Sequence, residues 1–540
     1  SEYLTTTQMI IDGSVREDVP FTRVLYHFFD PQNNRGLNAD TVIGPIEFVA
    51  SPDWILEDVS LSEATADQDF SYRDARANFY AALTNGSAIE RAYYYGRTFK
   101  SLGHVLHHIQ DMGQPQHVRN EPHCDKPFLC DEMLEALVYA KLYVPSLLEE
   151  HVASRDQSVR YQHAISPYPV DRVTASLGGT GTPRDFWVNS RVPNGGMAEY
   201  SAKNFLTQGS SLEWNPAQNS FRGIAGYPLP DGSAMQIDFE DCTWTGSKGQ
   251  ASGSCGFVST SAYDPVLATT DSYRIASLGL IWYPIQSLLD LSGADDQYVS
   301  GLFVIDEDTL IAQGNILVRR TIAFSAALID YFFRGNVNLV FDPGGATWRI
   351  QNNGAEEVDG LFQLFSDDSE NVRTPVESNG WLNRQLRLAP GASSAPIAFS
   401  APSDNRGNFM LTFSGRIGNE GNQAQNTLIA VAGKQIVVPH VTITYGDNGA
   451  LLDDRFELYI DNVLVSSDTS PFSATTVSRT LAPGQHKVDL KYLSSIYDPD
   501  DGPTWYISFS SNAQVICCGP TSGESNVPWG TVFSWDILVQ

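Results

Sequence analysis

The stretch that most constrains this chain is Gly103–Asn120, GHVLHHIQDMGQPQHVRN. Wound as a helix, it sets His104, His107, His108 and Asp111 at i, i+3, i+4 and i+7, in one stripe on one face. In an ordinary globular helix that stripe is apolar and faces the core. Here Leu102, Val105, Leu106, Ile109 and Met112 flank it instead. Apolar flanks around three imidazoles and a carboxylate imply a helix buried around something that takes nitrogen and oxygen ligands. Gly113 and Pro115 then end the helix, because proline cannot continue it and disfavours helical geometry in the residue before it. The chain can turn there and return His117 to the same place. His107, Asp111 and His117 therefore have the spacing of metal ligands, and imidazole with carboxylate suits zinc best among common ions. The alternative is a helix whose histidines are solvated or satisfied within the core.

At 540 residues the chain is too long for one core. Its 42% hydrophobic and 11% aromatic content is that of a folded protein. A formal net charge of −29 argues against general nucleic-acid binding, which needs a basic surface. The six cysteines fall into three close pairs, Cys124/Cys130, Cys242/Cys255 and Cys517/Cys518. Such pairing predicts local disulfides and an oxidising, secreted or extracellular setting. The adjacent Cys517 and Cys518 pair with each other only under strain, so an intermolecular link and self-association are the alternative. The sequence carries no apolar run of 18 residues, so no transmembrane span is predicted, and no signal peptide is recognised. A start at Ser1 fits a mature, processed product.

Residues 1–335 read as mainly helical, with the clearest periodicity around 70–112, 131–150, 271–291 and 308–334. A Gly/Pro/Ser/Asn-rich region at about 155–265 reads as loops and short elements inserted into that helical domain. After Arg334-Gly335 the pattern changes to short apolar runs between Gly, Pro, Asn and Asp, which predicts antiparallel β-sandwiches. The runs Asn338–Phe341, Thr347–Gln351, Phe409–Phe413 and Leu428–Val431 suggest an Ig-like sandwich over 336–434. A second, jelly-roll or Ig-like, is expected over 435–540 from Ile436–Tyr445, Phe456–Ile460, Lys487–Leu493, Trp505–Phe509 and Val532–Leu538. The expected fold is thus multidomain, an all-α domain followed by two all-β sandwich domains. Asp453-Asp454 and Asp498-Pro499-Asp500-Asp501-Gly502 in the last domain are candidates for calcium, which prefers oxygen ligands; solvated turn acids are the alternative.

Further ligand candidates lie on either side of the central stretch. Upstream are Glu17-Asp18 and the run Tyr26-His27-Phe28-Phe29-Asp30-Pro31. Downstream come His123 and an acidic helix, Asp131-Glu132-Met133-Leu134-Glu135, in which Glu135 is the better inward candidate and Glu132 a helix-start carboxylate. With these residues together, the region of about 10–335 resembles the zinc-dependent phospholipase C family, which also includes single-strand-specific nucleases. His107, Asp111 and His117 around Gly113-Gln114-Pro115 match the family's H-x-x-x-D…P-x-H segment, and His27 and Asp18 match its upstream histidine and carboxylate. His123 and Glu135 match the family's last His…Glu pair loosely.

The resemblance implies one zinc held by Asp18, His27, His107 and Asp111 and a second held by His117, His123 and Glu135. The alternative that the resemblance offers for Asp18 is the role of catalytic general base. Family members hold a third zinc with an N-terminal Trp and a nearby His. This chain begins at Ser1 and has no histidine before His27, so two zincs are expected, or three if those ligands were processed away. His104 and His108 would orient ligand carboxylates or bind phosphate, or simply pack beside the site. The expected function is a secreted zinc-dependent hydrolase of phospholipid or small phosphoester substrates, with the sandwiches as binding or self-association modules. The alternatives are a non-enzymatic surface or self-assembling protein with a zinc-stabilised helical domain, and a single-strand nuclease.

Overall fold

The computed structural model of this chain describes residues 4–539 apart from 42–43, 58–67, 122–146, 155–166, 208–211, 216–217, 219, 224–234, 247–248, 280–298, 300–301, 343–346, 377–383, 398–407, 422–428, 438–439, 448–453, 468–472, 482–483, 496–502, 511–512, 518 and 525–527. The expected roles of His123, Glu132, Glu135, Cys124, Cys130, Cys518, Asp453, Asp498, Asp500 and Asp501 lie outside the described residues. The chain divides into two compact units. One comprises Ser1–Ala82, Ala92–Gly335 and Arg416–Ala430; the other comprises Leu83–Arg91, Asn336–Gly415 and Val431–Gln540.

The helices are α1 (Thr6–Arg16), α2 (Ser51–Leu56), α3 (Tyr72–Thr84), α4 (Ala88–Asp111), α5 (Pro115–Val118), α6 (Leu147–Ala153), α7 (Val170–Leu177), α8 (Met197–Asn204) and α9 (Glu307–Phe332). The periodic stretch 70–112 is two helices rather than one. The Asn85 side chain accepts from Ser87 N–H at 2.9 Å, and Ser87 Oγ accepts from Glu90 N–H at 3.4 Å, so a turn and a helix cap fall inside the apolar pattern. α9 begins at the Asp306 cap, whose Oδ1 accepts from Thr309 N–H at 3.0 Å.

The first unit is not all-α. Its sheet runs in the order Gln236–Gly246, Gly249–Asp264, Thr269–Leu278 and Phe303–Val304, every neighbouring pair antiparallel. Two of these strands occupy the region expected as loops, and Thr269–Leu278 occupies the start of the helix expected over 271–291. Its sequence, TTDSYRIASL, places Tyr273 and Ile275 inward and is rich in residues that fit a pleated surface; the apolar spacing alone did not separate the two periods. Cys242 and Cys255 form a disulfide across the first hairpin, Cα to Cα 5.8 Å, as their spacing suggested. The buried Arg320 of α9 anchors this sheet, donating to Asp264 Oδ2, to the Tyr168 hydroxyl at 2.7 Å and to the Gly195 carbonyl at 2.7 Å.

The second unit is built of strands. Val337–Asp342 pairs with Thr347–Asn352, and a sheet follows in the order Arg373–Pro375, Val358–Asp367, Asn408–Ile417, Ala430–Val437, with Arg384–Leu388 also on Val358–Asp367. The strand Ala430–Val437 runs through the expected boundary at 434. Beyond it, the order Thr475–Thr480, His440–Gly446, Thr504–Phe509, Ser522–Glu524 makes one sheet and Val463–Ser467, Asp454–Ile460, Gly484–Ser495, Val532–Val539, Ala513–Cys517 another. Val441, Ile443 and Trp505 from the first share one apolar core with Phe456, Leu458 and Trp535 from the second, the arrangement of a sandwich. The run expected over Ile436–Tyr445 falls on two strands of different sheets, Ala430–Val437 and His440–Gly446. Asp454 is buried, and its Oδ2 accepts from Thr504 N–H at 2.8 Å. Cys517 is disulfide-bonded.

Candidate metal centre

Two glycines set the site. A Cβ on Gly103 of α4 would stand 2.2 Å from the Ile10 carbonyl, and one on Gly13 of α1 would stand 2.1 Å from the Lys100 carbonyl. The two helices therefore touch backbone to backbone, which only glycine allows. That contact brings Glu17 and Asp18, at the C-terminal end of α1, over the histidine stripe of α4. The chain then turns through Phe21–Tyr26 to His27, with Tyr26 stacked on Trp54 of α2 at 3.9 Å.

At the other end of α4, Gly113 and Gln114 N–H groups donate to the Gln110 and Asp111 carbonyls, and Pro115 opens the short α5. This turn returns His117. Its carbonyl accepts from Phe29 N–H at 3.0 Å, and its Nδ1 donates to the His27 carbonyl at 3.3 Å. A carbonyl only accepts, so Nδ1 carries the proton and Nε2 presents its lone pair, 3.4 Å from Glu149 Oε1 of α6.

The structure brings Asp18, His27, His107 and Asp111 together. His27 Nδ1 lies 3.6 Å from Asp18 Oδ1, 3.1 Å from Asp111 Oδ2 and 3.3 Å from His107 Nε2. His107 Nε2 lies 3.4 Å from both Asp18 Oδ1 and Asp111 Oδ2. A tetrahedral zinc with bonds of about 2.0–2.2 Å has ligand-to-ligand edges of roughly 3.3–3.6 Å. The five distances scatter around that range, and Asp111 Oδ2 is buried without an aligned hydrogen bond. Asp18, His27 and His107 thus form one group of zinc-preferred donors, and Asp111 stands against both of its imidazoles; imidazole and carboxylate donors at these spacings fit that ion. A second group, Asp111, His117 and Glu149, has donor atoms within 4.8 Å of one another, and Asp111 Oδ2 also lies 3.1 Å from His27 and 3.4 Å from His107 of the first. Glu149 stands beside His117, the residue with which the resemblance groups His123 and Glu135. It stands at the end of the segment that reads as helical over 131–150, next to the buried Leu148, and that apolar neighbour was the available signal.

His104 and His108, one turn apart, are turned away from these groups and towards Glu17, which the sequence placed next to Asp18 without distinguishing it. Glu17 is wholly buried. Its carboxylate accepts from Arg23 Nη2 at 2.8 and 2.7 Å, from His104 Nδ1, from His108 Nε2 at 3.1 Å and from Trp54 Nε1 at 3.4 Å. Ser51 Oγ, which accepts from Trp187 Nε1, lies 2.8 Å from His108 Nδ1 and completes the order of donors.

Electrostatics follow from this packing. Burial alone would raise the Glu17 pKa, but hydrogen bonds from His104 and His108 and the nearby His27 ring outweigh it and hold the carboxyl well below its ordinary value. Burial would likewise raise Asp111, yet the surrounding His107, His117 and His27 hold it low. For His27 burial opposes protonation, and the Asp111 and Glu17 carboxylates override it and push the ring up to about 10. His108 is pushed down to about 4 by burial, so it donates to Glu17 as a neutral ring. The carboxylates thus call for positive charge at the His27 ring, which a proton or a divalent cation supplies.

A cleft of about 630 Å³ opens beside both groups. Its lining combines His107, Asp111 and Glu149 with apolar side chains such as Leu317, Val318 and Ile322, and among the described residues no Lys or Arg lines it. Comparison with protein families, with curated proteins and with solved structures finds no match for this chain.

Proposed function

We propose that this chain is a zinc-dependent phosphodiester hydrolase of the phospholipase C type, acting on a phosphoester that carries an apolar portion. The observation that carries the reading is the cluster of Asp18, His27, His107 and Asp111 at the side of an apolar cleft, in which His27 Nδ1 and His107 Nε2 each stand 3.1–3.6 Å from both carboxylates. Those four residues would hold one zinc, and Asp111, His117 and Glu149 a second. Bound there, zinc supplies a lowered pKa for water and neutralises charge on phosphate oxygens.

The chain's own residues account for the rest. Asp18 has the most exposed side chain of the four, at 52%, so its carboxylate is the one placed to take a proton from solvent-side water. Gln110, whose Oε1 accepts from Ser14 Oγ at 3.3 Å, lines the cleft and has an amide to donate to a phosphate oxygen. The apolar lining favours an acyl or alkyl group over a polyanionic strand, which needs cations along its path. That separates a lipid-like substrate from single-stranded nucleic acid.

The test is chelator-sensitive hydrolysis by the zinc-loaded chain of a phosphocholine ester bearing acyl chains, beside a soluble short-chain analogue and single-stranded DNA. The expected order of kcat/KM is acyl ester, then short-chain analogue, then DNA. Hydrolysis of DNA alone supports the nuclease reading, and no hydrolysis of any substrate leaves a metal-stabilised binding protein as the better account.

A further inference from the structure

The function proposed above uses His107 and Asp111 of the α4 stripe but leaves His104, His108 and the buried Glu17 without a part. Glu17 is a carboxylate with no exposure, and Arg23, His104, His108 and Trp54 converge on it. Such an arrangement fixes both oxygens in place. A cation is already present, because Arg23 Nη2 reaches both oxygens at 2.8 and 2.7 Å. A divalent ion on the same oxygens would meet the guanidinium, so the Glu17, His27 and His108 group is a poor metal site although its donor atoms lie within 4.8 Å of one another.

What Glu17 faces is His27. The His27 Nε2 atom is buried and makes no hydrogen bond, and Glu17 Oε1 lies 3.8 Å away. A histidine that gives one ring nitrogen to a metal carries its proton on the other, and that N–H is ordinarily held by a carboxylate, which fixes the tautomer and the ring plane. His27 turns Nδ1 towards Asp18, His107 and Asp111 and Nε2 towards Glu17.

We propose that Glu17 is the positioning residue for His27: it holds the proton on Nε2 as the acceptor that N–H faces, keeps Nδ1 as the metal-binding nitrogen, and is itself held in register by Arg23, His104 and His108. This rests on the metal reading of the Asp18, His27, His107 and Asp111 set. It also divides the stripe into two pairs one turn apart. His107 and Asp111 face the metal position, and His104 and His108 hold the carboxylate behind it.

The test is a double-mutant cycle read by zinc affinity in chelator competition, with the full chain. Glu17→Gln keeps the size of the side chain and removes its charge. In the unaltered background the substitution is expected to weaken zinc binding roughly 10–100-fold, the range for lost outer partners of metal-ligating histidines. In a His27→Ala background it is expected to change zinc affinity less than about twofold, because its route to the metal is gone. Should Glu17→Gln fail to fold, His108→Gln takes its place in the same cycle, with a smaller loss and the same dependence on His27. Equal losses in both backgrounds would show a merely structural carboxylate and overturn the proposal. Unchanged affinity beside tight binding by the unaltered chain would overturn it alone, whereas no zinc binding by the unaltered chain would overturn the metal reading with it.

Discussion

Asp111 belongs to one donor group and touches the two imidazoles of the other, and that gives substitutions at the site unequal consequences. Asp111→Ala is expected to remove both zinc equivalents, whereas His117→Ala should remove one and leave the other, as counted by elemental analysis after dialysis. Equal losses from the two variants would contradict the shared carboxylate. Much of this set was legible in the sequence, because His104, His107, His108 and Asp111 fall in helical register and Pro115 forces the turn that returns His117. Glu17 and Glu149 were harder to single out. Each is one acid in an adjacent acidic pair, and only packing decides which of the pair turns inward: Glu17 is buried while the neighbouring Asp18 is half exposed.

At the level of elements, the site depends on α1 and α4 meeting where Gly13 faces Gly103. A methyl group at Gly103 has backbone on its far side, so the helices must separate. Gly103→Ala is expected to destabilise the chain by about 1–3 kcal/mol, the usual cost of overpacking, and to weaken zinc binding because Asp18 moves with α1. Denaturant unfolding with and without zinc checks both; a neutral substitution would contradict the close crossing. α4 and α9 were readable from their 3.6-residue period, and the strands after residue 335 from alternation and turn residues. The hairpin Gln236–Asp264 and the strand Thr269–Leu278 were not. Their Ser-, Thr- and Gly-rich sequences look like loop when taken singly, and strand pairing over register is a property of two segments at once.

On the scale of the whole molecule, the segment Arg416–Ala430 joins the first unit through a buried ion cluster. Glu420 is fully buried; Arg76 reaches both of its oxygens at 2.8 and 3.0 Å, and Arg334 and the Tyr72 hydroxyl also donate. Glu420→Gln leaves two guanidinium groups facing a neutral amide and is expected to cost about 3–5 kcal/mol in unfolding free energy. Burial acts to raise the Glu420 pKa, but Arg76 and Arg334 hold it below the ordinary 4.5. A carboxyl lowered on folding stabilises above its unfolded pKa and loses that contribution as pH falls through the folded one. Stability should therefore decline as pH drops below about 4.5, and less steeply in Glu420→Gln. Chemical denaturation between neutral pH and acid measures it, and parallel curves for the two proteins would contradict the cluster's role. All of this surrounds one claim, that Asp18, His27, His107 and Asp111 hold a zinc ion. Anomalous diffraction from zinc-loaded crystals, collected on both sides of the zinc absorption edge, tests it most directly. The account predicts a strong peak at the centre of those four side chains; a zinc-loaded crystal with no peak there, or with zinc only at other positions, would contradict it.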